Sequence, residues 1–213
     1  VRGQTLFEAK AFAITAQAGS MVGVEKEERI STPLWRAFRF RHPWLQLNLL
    51  TAFLAGAVVA LFQGTIDQLV ILAAFLPVLA GQSGNTGCQA LAVTLRGLTL
   101  GEIKDGDGMK LVTKEGVLGA LNGGPVGLVA GAAMYITATG QQSPDALMLA
   151  LVVFLAMIGS CTVSGICGAL VPLTLKRYGA DPATASSIFL TTATDIFSMG
   201  LLLGLATLLV WSF

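Results

Sequence analysis

The residue in this sequence with the most distinct chemistry is Asp195. Around it, Thr184, Ser187, Thr191, Asp195 and Ser198 follow one another at spacings of 3, 4, 4 and 3, which on a helix lays all five along one face. Thr194 borders the stripe. A carboxylate among hydroxyls is a set of hard oxygen donors, suited to Mg²⁺, Ca²⁺ or Mn²⁺ rather than to softer ions. A second polar group lies upstream, where Gly81-Gln-Ser-Gly-Asn-Thr-Gly-Cys-Gln89 interrupts an apolar stretch. Helical spacing pairs Gly84 with Cys88 and Asn85 with Gln89 on shared faces. Small residues there would widen a passage, and the amides would hydrogen-bond the water around an ion. Each group also has a plain alternative: an interhelical hydroxyl seam for the first, inert helix packing for the second.

Enzyme chemistry has little to work with. The single histidine, His42, precedes the first long apolar stretch, so a Ser/His or HExxH protease lacks its base or ligands. Asp105-Gly-Asp-Gly108 is only part of a calcium-loop pattern. Cys88, Cys161 and Cys167 fall in apolar stretches at spacings that fit neither a zinc site nor a disulfide scaffold. Thirteen Lys/Arg against twelve Asp/Glu leave a net charge of +1, with no basic field to hold a nucleic-acid backbone.

The elements that must position Asp195 are membrane helices. The chain of 213 residues is 54% hydrophobic and 12% charged, where a soluble domain carries about 25% charged residues; this implies an all-α, multi-pass integral membrane protein. Five segments have the roughly 20-residue apolar length that a bilayer requires, near 43–63, 67–98, 112–139, 145–175 and 183–211. Residues 1–42 form a water-facing lead-in, in which Leu6, Phe7, Ala9, Phe12, Ala13 and Ala16 recur at helical spacing and predict a short amphipathic helix. Seven Lys/Arg precede the first span, four lie between the second and third and two between the fourth and fifth. The positive-inside rule then places the N-terminus in the cytoplasm and the C-terminus outside. Trp35, Trp44 and Trp211 fall at span ends, where headgroups suit them.

In this frame Asp195 lies deep in the fifth span, and the other acids lie in water-facing segments or near helix ends. An unpaired carboxylate at that depth costs at least about 2.5–3.5 kcal/mol unless it faces a wet cavity or a partner. Gly119, Gly123, Gly127 and Gly131 repeat every fourth residue, as do Gly200 and Gly204, which predicts closely packed backbones. Pro77, Pro125 and Pro172 are expected to kink their helices. The sequence has no internal repeat, and an odd number of spans argues against an inverted repeat within one chain; a pore would be shared between subunits or built asymmetrically. Val1 stands where an initiator Met would, leaving room for an upstream segment.

Pro77-Val-Leu-Ala-Gly-Gln-Ser-Gly-Asn-Thr-Gly-Cys-Gln89, Arg96-Gly-Leu-Thr-Leu-Gly-Glu102, Gly168-Ala-Leu-Val-Pro172, Asp181-Pro-Ala183 and the Thr-Thr-x-x-Asp run ending at Asp195 together resemble the transmembrane domain of the MgtE family of magnesium channels. The resemblance covers residues 43–213, so the chain divides into a juxtamembrane segment, 1–42, and a pore domain. It implies a homodimer of five-helix subunits in a lipid bilayer, expected to be the bacterial inner membrane, with one pore at the dimer interface passing Mg²⁺ inward. It further implies that Asp195 of each subunit holds the ion and that Asp181 belongs to a cytoplasmic Mg²⁺ site. Residues 5–29 would stand where the family has its plug helix. Pore-lining roles fall to Gly84, Asn85, Cys88, Ser187, Thr191, Thr194 and Ser198. The chain departs from the family at Ser83, Cys88 and Gly165, which leaves Mn²⁺, Co²⁺ and Ca²⁺ open beside Mg²⁺ as cations. Two other readings stand beside this one: a Na⁺- or H⁺-coupled divalent-cation exchanger, and a non-conducting membrane assembly subunit whose glycine ladder is the functional surface.

Overall fold

Glycine at every fourth position removes side chains from one stripe of a helix, and a second helix can then lie against bare backbone. The fold is organised around this contact. A computed structural model describes residues 20–25, 27–104, 106–183 and 186–210. Six helices are described: α1 (Leu34–Leu61), α2 (Gln63–Gln68), α3 (Ile71–Leu100), α4 (Gly108–Gly140), α5 (Ala146–Arg177) and α6 (Ser186–Val210). Along the α4–α5 seam a Cβ added at Gly123 would stand 2.9 Å from Ile158 Cα; one at Gly127 would stand 3.0 Å from the Phe154 carbonyl oxygen, and one at Gly131 2.9 Å from that of Ala150. Gly119 abuts the Cys161 carbonyl, and from the other side Gly165 abuts that of Glu115. The two helices are antiparallel and interlocked over about half their length. Gly200 and Gly204 are looser, meeting Val58 and Phe62 at ordinary van der Waals distance.

α5 is the central element, packed by α4, α3 and α6. α3 runs parallel to it, since Thr86 meets Cys161 and Gly87 and Ala90 meet Gly168 further along. α6 returns antiparallel, and α1 touches the bundle chiefly along α6. Two apolar clusters result. The larger joins Leu72 and Leu79 of α3, Met134 of α4, Val153 of α5 and Leu202 of α6. The smaller, at the end carrying the basic loops, joins Leu91, Leu95, Ala183 and Leu190.

Helix boundaries differ from the sequence expectation in instructive ways. α1 begins at Leu34, so the lead-in enters the first helix instead of ending at it, and Pro43 lies inside it. Trp35, Phe38 and His42 stack along its first two turns, with centroid separations of 5.2 and 4.7 Å. The expected second span, 67–98, is met by α3, which the short α2 precedes, because Leu69 (φ −121°, ψ 59°) leaves helical geometry before α3 begins. α3 then runs unbroken through the glycine-rich polar segment. Four helices, α1, α4, α5 and α6, hold an apolar window long enough to cross a membrane. α3 has the length, at 30 residues, and carries the polar run at its centre. The expected amphipathic helix over residues 6–16 and Trp211 lie outside the described residues.

Candidate functional site

α6 positions Asp195 as its tenth residue, half-buried. Ser187, Thr191 and Asp195 are spaced by four and all half-buried, so they share the partly open edge of the helix. Thr194 and Ser198 turn inward and are buried. Their hydroxyls donate back to their own helix, Thr194 Oγ1 to the Thr191 carbonyl at 3.0 Å and Ser198 Oγ to that of Asp195 at 3.2 Å. The expected stripe thus divides into an open row and a row against the bundle. Thr184 lies outside the described residues.

The polar segment of α3 reaches the same depth. Leu190 lies against Gly87, and Asp195 is five residues on, about 7.5 Å at 1.5 Å per residue. The same step back along antiparallel α3 reaches Gln82 and Ser83. Gln82, Asn85 and Gln89 are exposed on the isolated subunit and Gly84 is half-buried; no atom lies within 4 Å of where a Cβ at Gly84 would stand. Cys88 instead packs beside Leu91 and Leu190, together with Cys167.

Between the two apolar clusters lies a layer of buried hydroxyls: Ser83 on α3, Ser160 and Ser164 on α5, Thr194 and Ser198 on α6. Ser160 and Ser164 make no hydrogen bond. Sequence reasoning passed over this pair because α5 is otherwise apolar; two serines four apart in such a helix were the available signal. Glu115 was missed as well. From the sequence it falls near the start of the third span, but α4 starts at Gly108, so Glu115 lies two turns in and only 5% exposed.

At the basic end the acids are dispersed. Asp181 is exposed, and its Oδ1 accepts the Ala183 N–H at 3.0 Å, turning the chain toward α6. Glu27 pairs with Arg36 at 3.5 Å, Glu28 with Arg41, and Asp107 with Lys110 at 2.9 Å. Asp105 lies outside the described residues. Among the described residues no three His, Cys, Asp or Glu side chains converge, and none forms an ion pair with Asp195. One carboxylate per chain cannot enclose a divalent ion; water or a second copy must complete its shell.

Comparison with known proteins bears on what such a carboxylate is for. Residues 76–205, more than half of the chain, match the family MgtE, described as a divalent cation transporter. The chain is 31% identical over 188 residues to the magnesium transporter MgtE of Enterococcus faecalis and 30% identical over 187 residues to that of Bacillus subtilis, in each case over 88% of this chain and 40% of the relative. It is 29% identical to the magnesium transporter MgtE of Thermus thermophilus over 178 residues, 83% of this chain and 37% of the relative. The chain therefore spans about two fifths of the length of the curated relatives it matches.

Proposed function

Because this chain belongs to the MgtE family of divalent cation transporters, we propose that it carries Mg²⁺ inward across a bacterial inner membrane as the conducting part of a homodimer. α3 is the fifth crossing, and the basic loops lie in the cytoplasm. Two Asp195 carboxylates, one from each subunit, face each other across the dimer axis and neutralise one divalent ion. The ion keeps much of its water, since Mg²⁺ dehydrates reluctantly. Ser187 and Thr191 line the path below it, and Gly84 and Asn85 form the facing wall. Cys88, Thr194 and Ser198 stand behind these and fix the spacing of α3 and α6. Asp181 serves a second cation site at the cytoplasmic mouth. An inside-negative potential assists a divalent ion by about 4.6 kcal/mol per 100 mV, twice the value for one charge, so no coupled ion is needed.

The observation that carries this reading is a half-buried carboxylate in mid-helix with no cation paired to it among the described residues, in a position costly to occupy without a function. The relatives named as magnesium transporters support Mg²⁺ as the ion. The test is Mg²⁺ uptake into liposomes holding the purified protein, driven by an inside-negative voltage alone. Wild type should conduct, and Asp195→Asn should lose at least about 90% of the flux while eluting as wild type does on size exclusion. Flux that appears only with a Na⁺ or pH gradient would favour the exchanger. Equal flux in both proteins would remove Asp195 from the path, and none in either would favour the assembly subunit.

A further inference from the structure

A pocket of about 510 Å³ opens at the basic end of the bundle, where the end of α3, the α3–α4 loop, the start of α4 and the end of α5 meet. Leu98, Ile103 and Leu173 line it with apolar surface, and Lys104, Lys176 and Arg177 bring three cations to it. No carboxylate lines it among the described residues. Among the described residues none of the three cations has an ion-pair or side-chain hydrogen-bond partner there, unlike Arg36, Arg41 and Lys110. Lys176 and Arg177 occupy the last turn of α5, where cations suit the helix dipole. That explains two of the charges, but not Lys104, which arrives from a different loop, nor the apolar floor beneath all three.

The surroundings mark the level of a membrane boundary. Met109 is 69% exposed at the rim, and just past Arg177 the 84% exposed Tyr178 has the apolar body and polar tip favoured at headgroup depth. Asp107 makes no side-chain cap at the start of α4, so its carboxylate does not occupy the first-turn N–H groups. Cations over an apolar floor at that depth match a phosphate group tethered to acyl chains. A soluble phosphate would match the cations but leave the floor wet.

We infer that this pocket binds the phosphate headgroup of an anionic phospholipid, with Lys104, Lys176 and Arg177 as its ligands. The inference is independent of ion conduction, so its failure would leave the transport reading untouched. Binding is measured on the full chain in detergent micelles by native mass spectrometry, titrating dioleoylphosphatidylglycerol against dioleoylphosphatidylcholine, with glycerol 3-phosphate and inorganic phosphate as soluble probes. The triple variant Lys104→Gln/Lys176→Gln/Arg177→Gln should bind phosphatidylglycerol roughly 100-fold more weakly, about five-fold per charge. The charge-conserving triple Lys104→Arg/Lys176→Arg/Arg177→Lys should bind as wild type does. Lys114→Gln, an exposed lysine outside the pocket, should have no effect. If the neutral triple does not fold, the three single variants carry the test, each with its five-fold loss. Undiminished binding in the neutral variants, or equal loss in the charge-conserving triple, would overturn the inference. Competition by either soluble phosphate at the affinity of the lipid would overturn the lipid as the source.

Discussion

Gly123 and Gly124 are adjacent on α4 and face opposite fates. A methyl added at Gly123 would lie 2.9 Å from Ile158 Cα and 3.2 Å from the Met157 carbonyl oxygen, whereas at Gly124 nothing lies within 4 Å. Comfortable separation for such atoms is about 3.5–4.0 Å, so α4 and α5 must move apart by roughly 0.5–1 Å to admit the first methyl. The obstacle is backbone, which cannot rotate aside. Such overpacking costs about 1–3 kcal/mol, while both substitutions gain about 0.8–1.0 kcal/mol of helix propensity. That gain cancels in the difference. Gly124→Ala should be slightly stabilising and Gly123→Ala less stable than it by about 1–3 kcal/mol, or roughly 2–12 °C in the melting temperature for a chain of this size. Gly87→Ala should fall between them, because its close neighbour is the flexible end of Leu190. The assay is thermal unfolding in detergent with all three variants in parallel. If Gly123→Ala melts with or above Gly124→Ala, the backbone seam is not what holds α4 to α5.

Ser160→Ala and Ser164→Ala each remove a buried hydroxyl that has no partner and should raise stability by about 1 kcal/mol in the same assay; a loss instead would mean that these hydroxyls hold something. Thr65 and Thr207 share a 2.8 Å hydrogen bond that ties α2 to α6. Each Thr→Val change should cost about 0.5–1.5 kcal/mol, and the double variant should cost little more than one; additive losses would dissolve the pairing. Arg41→Gln should expose residues 20–33 to protease more than Glu28→Gln does. The first leaves a nearly buried carboxylate unpaired and the second leaves an exposed guanidinium in water; equal cleavage would contradict this.

The long helices were legible because hydrophobic length and charge placement act locally. The glycine ladder was legible because its period matches a helix face. Asp195 stood out by its depth alone. Less legible was what depends on how helices turn toward one another: Thr194 and Ser198 share a polar stripe with Thr191 in sequence, yet they are buried while Thr191 stays half open. Glu115 was misjudged because a helix start four residues earlier changes an end position into an interior one. Cys88 reads as lining from its face on α3, and its half-buried place beside the Leu91 and Leu190 cluster depends on how α3 and α6 meet. The break at Leu69 carries no Gly or Pro, the usual punctuation.

The interlocked seam between α4 and α5 also determines how the molecule can deform. Each carbonyl of α5 seated over a bare glycine acts as a tooth in a rack, and sliding one helix past the other would drive that oxygen into the next residue's side chain. The smallest clean step is four residues, about 6 Å, with no stable halfway position. These two helices therefore translate and tilt as one stiff body. α3 barely touches α4 across the apolar groove that holds Gln82 and Pro125, and α1 is joined chiefly along its single edge with α6. α3 is seated on α5 in the same way where Gly168 meets the Gly87 carbonyl, so the loose joints of the subunit are the α3–α4 groove and the edge of α1.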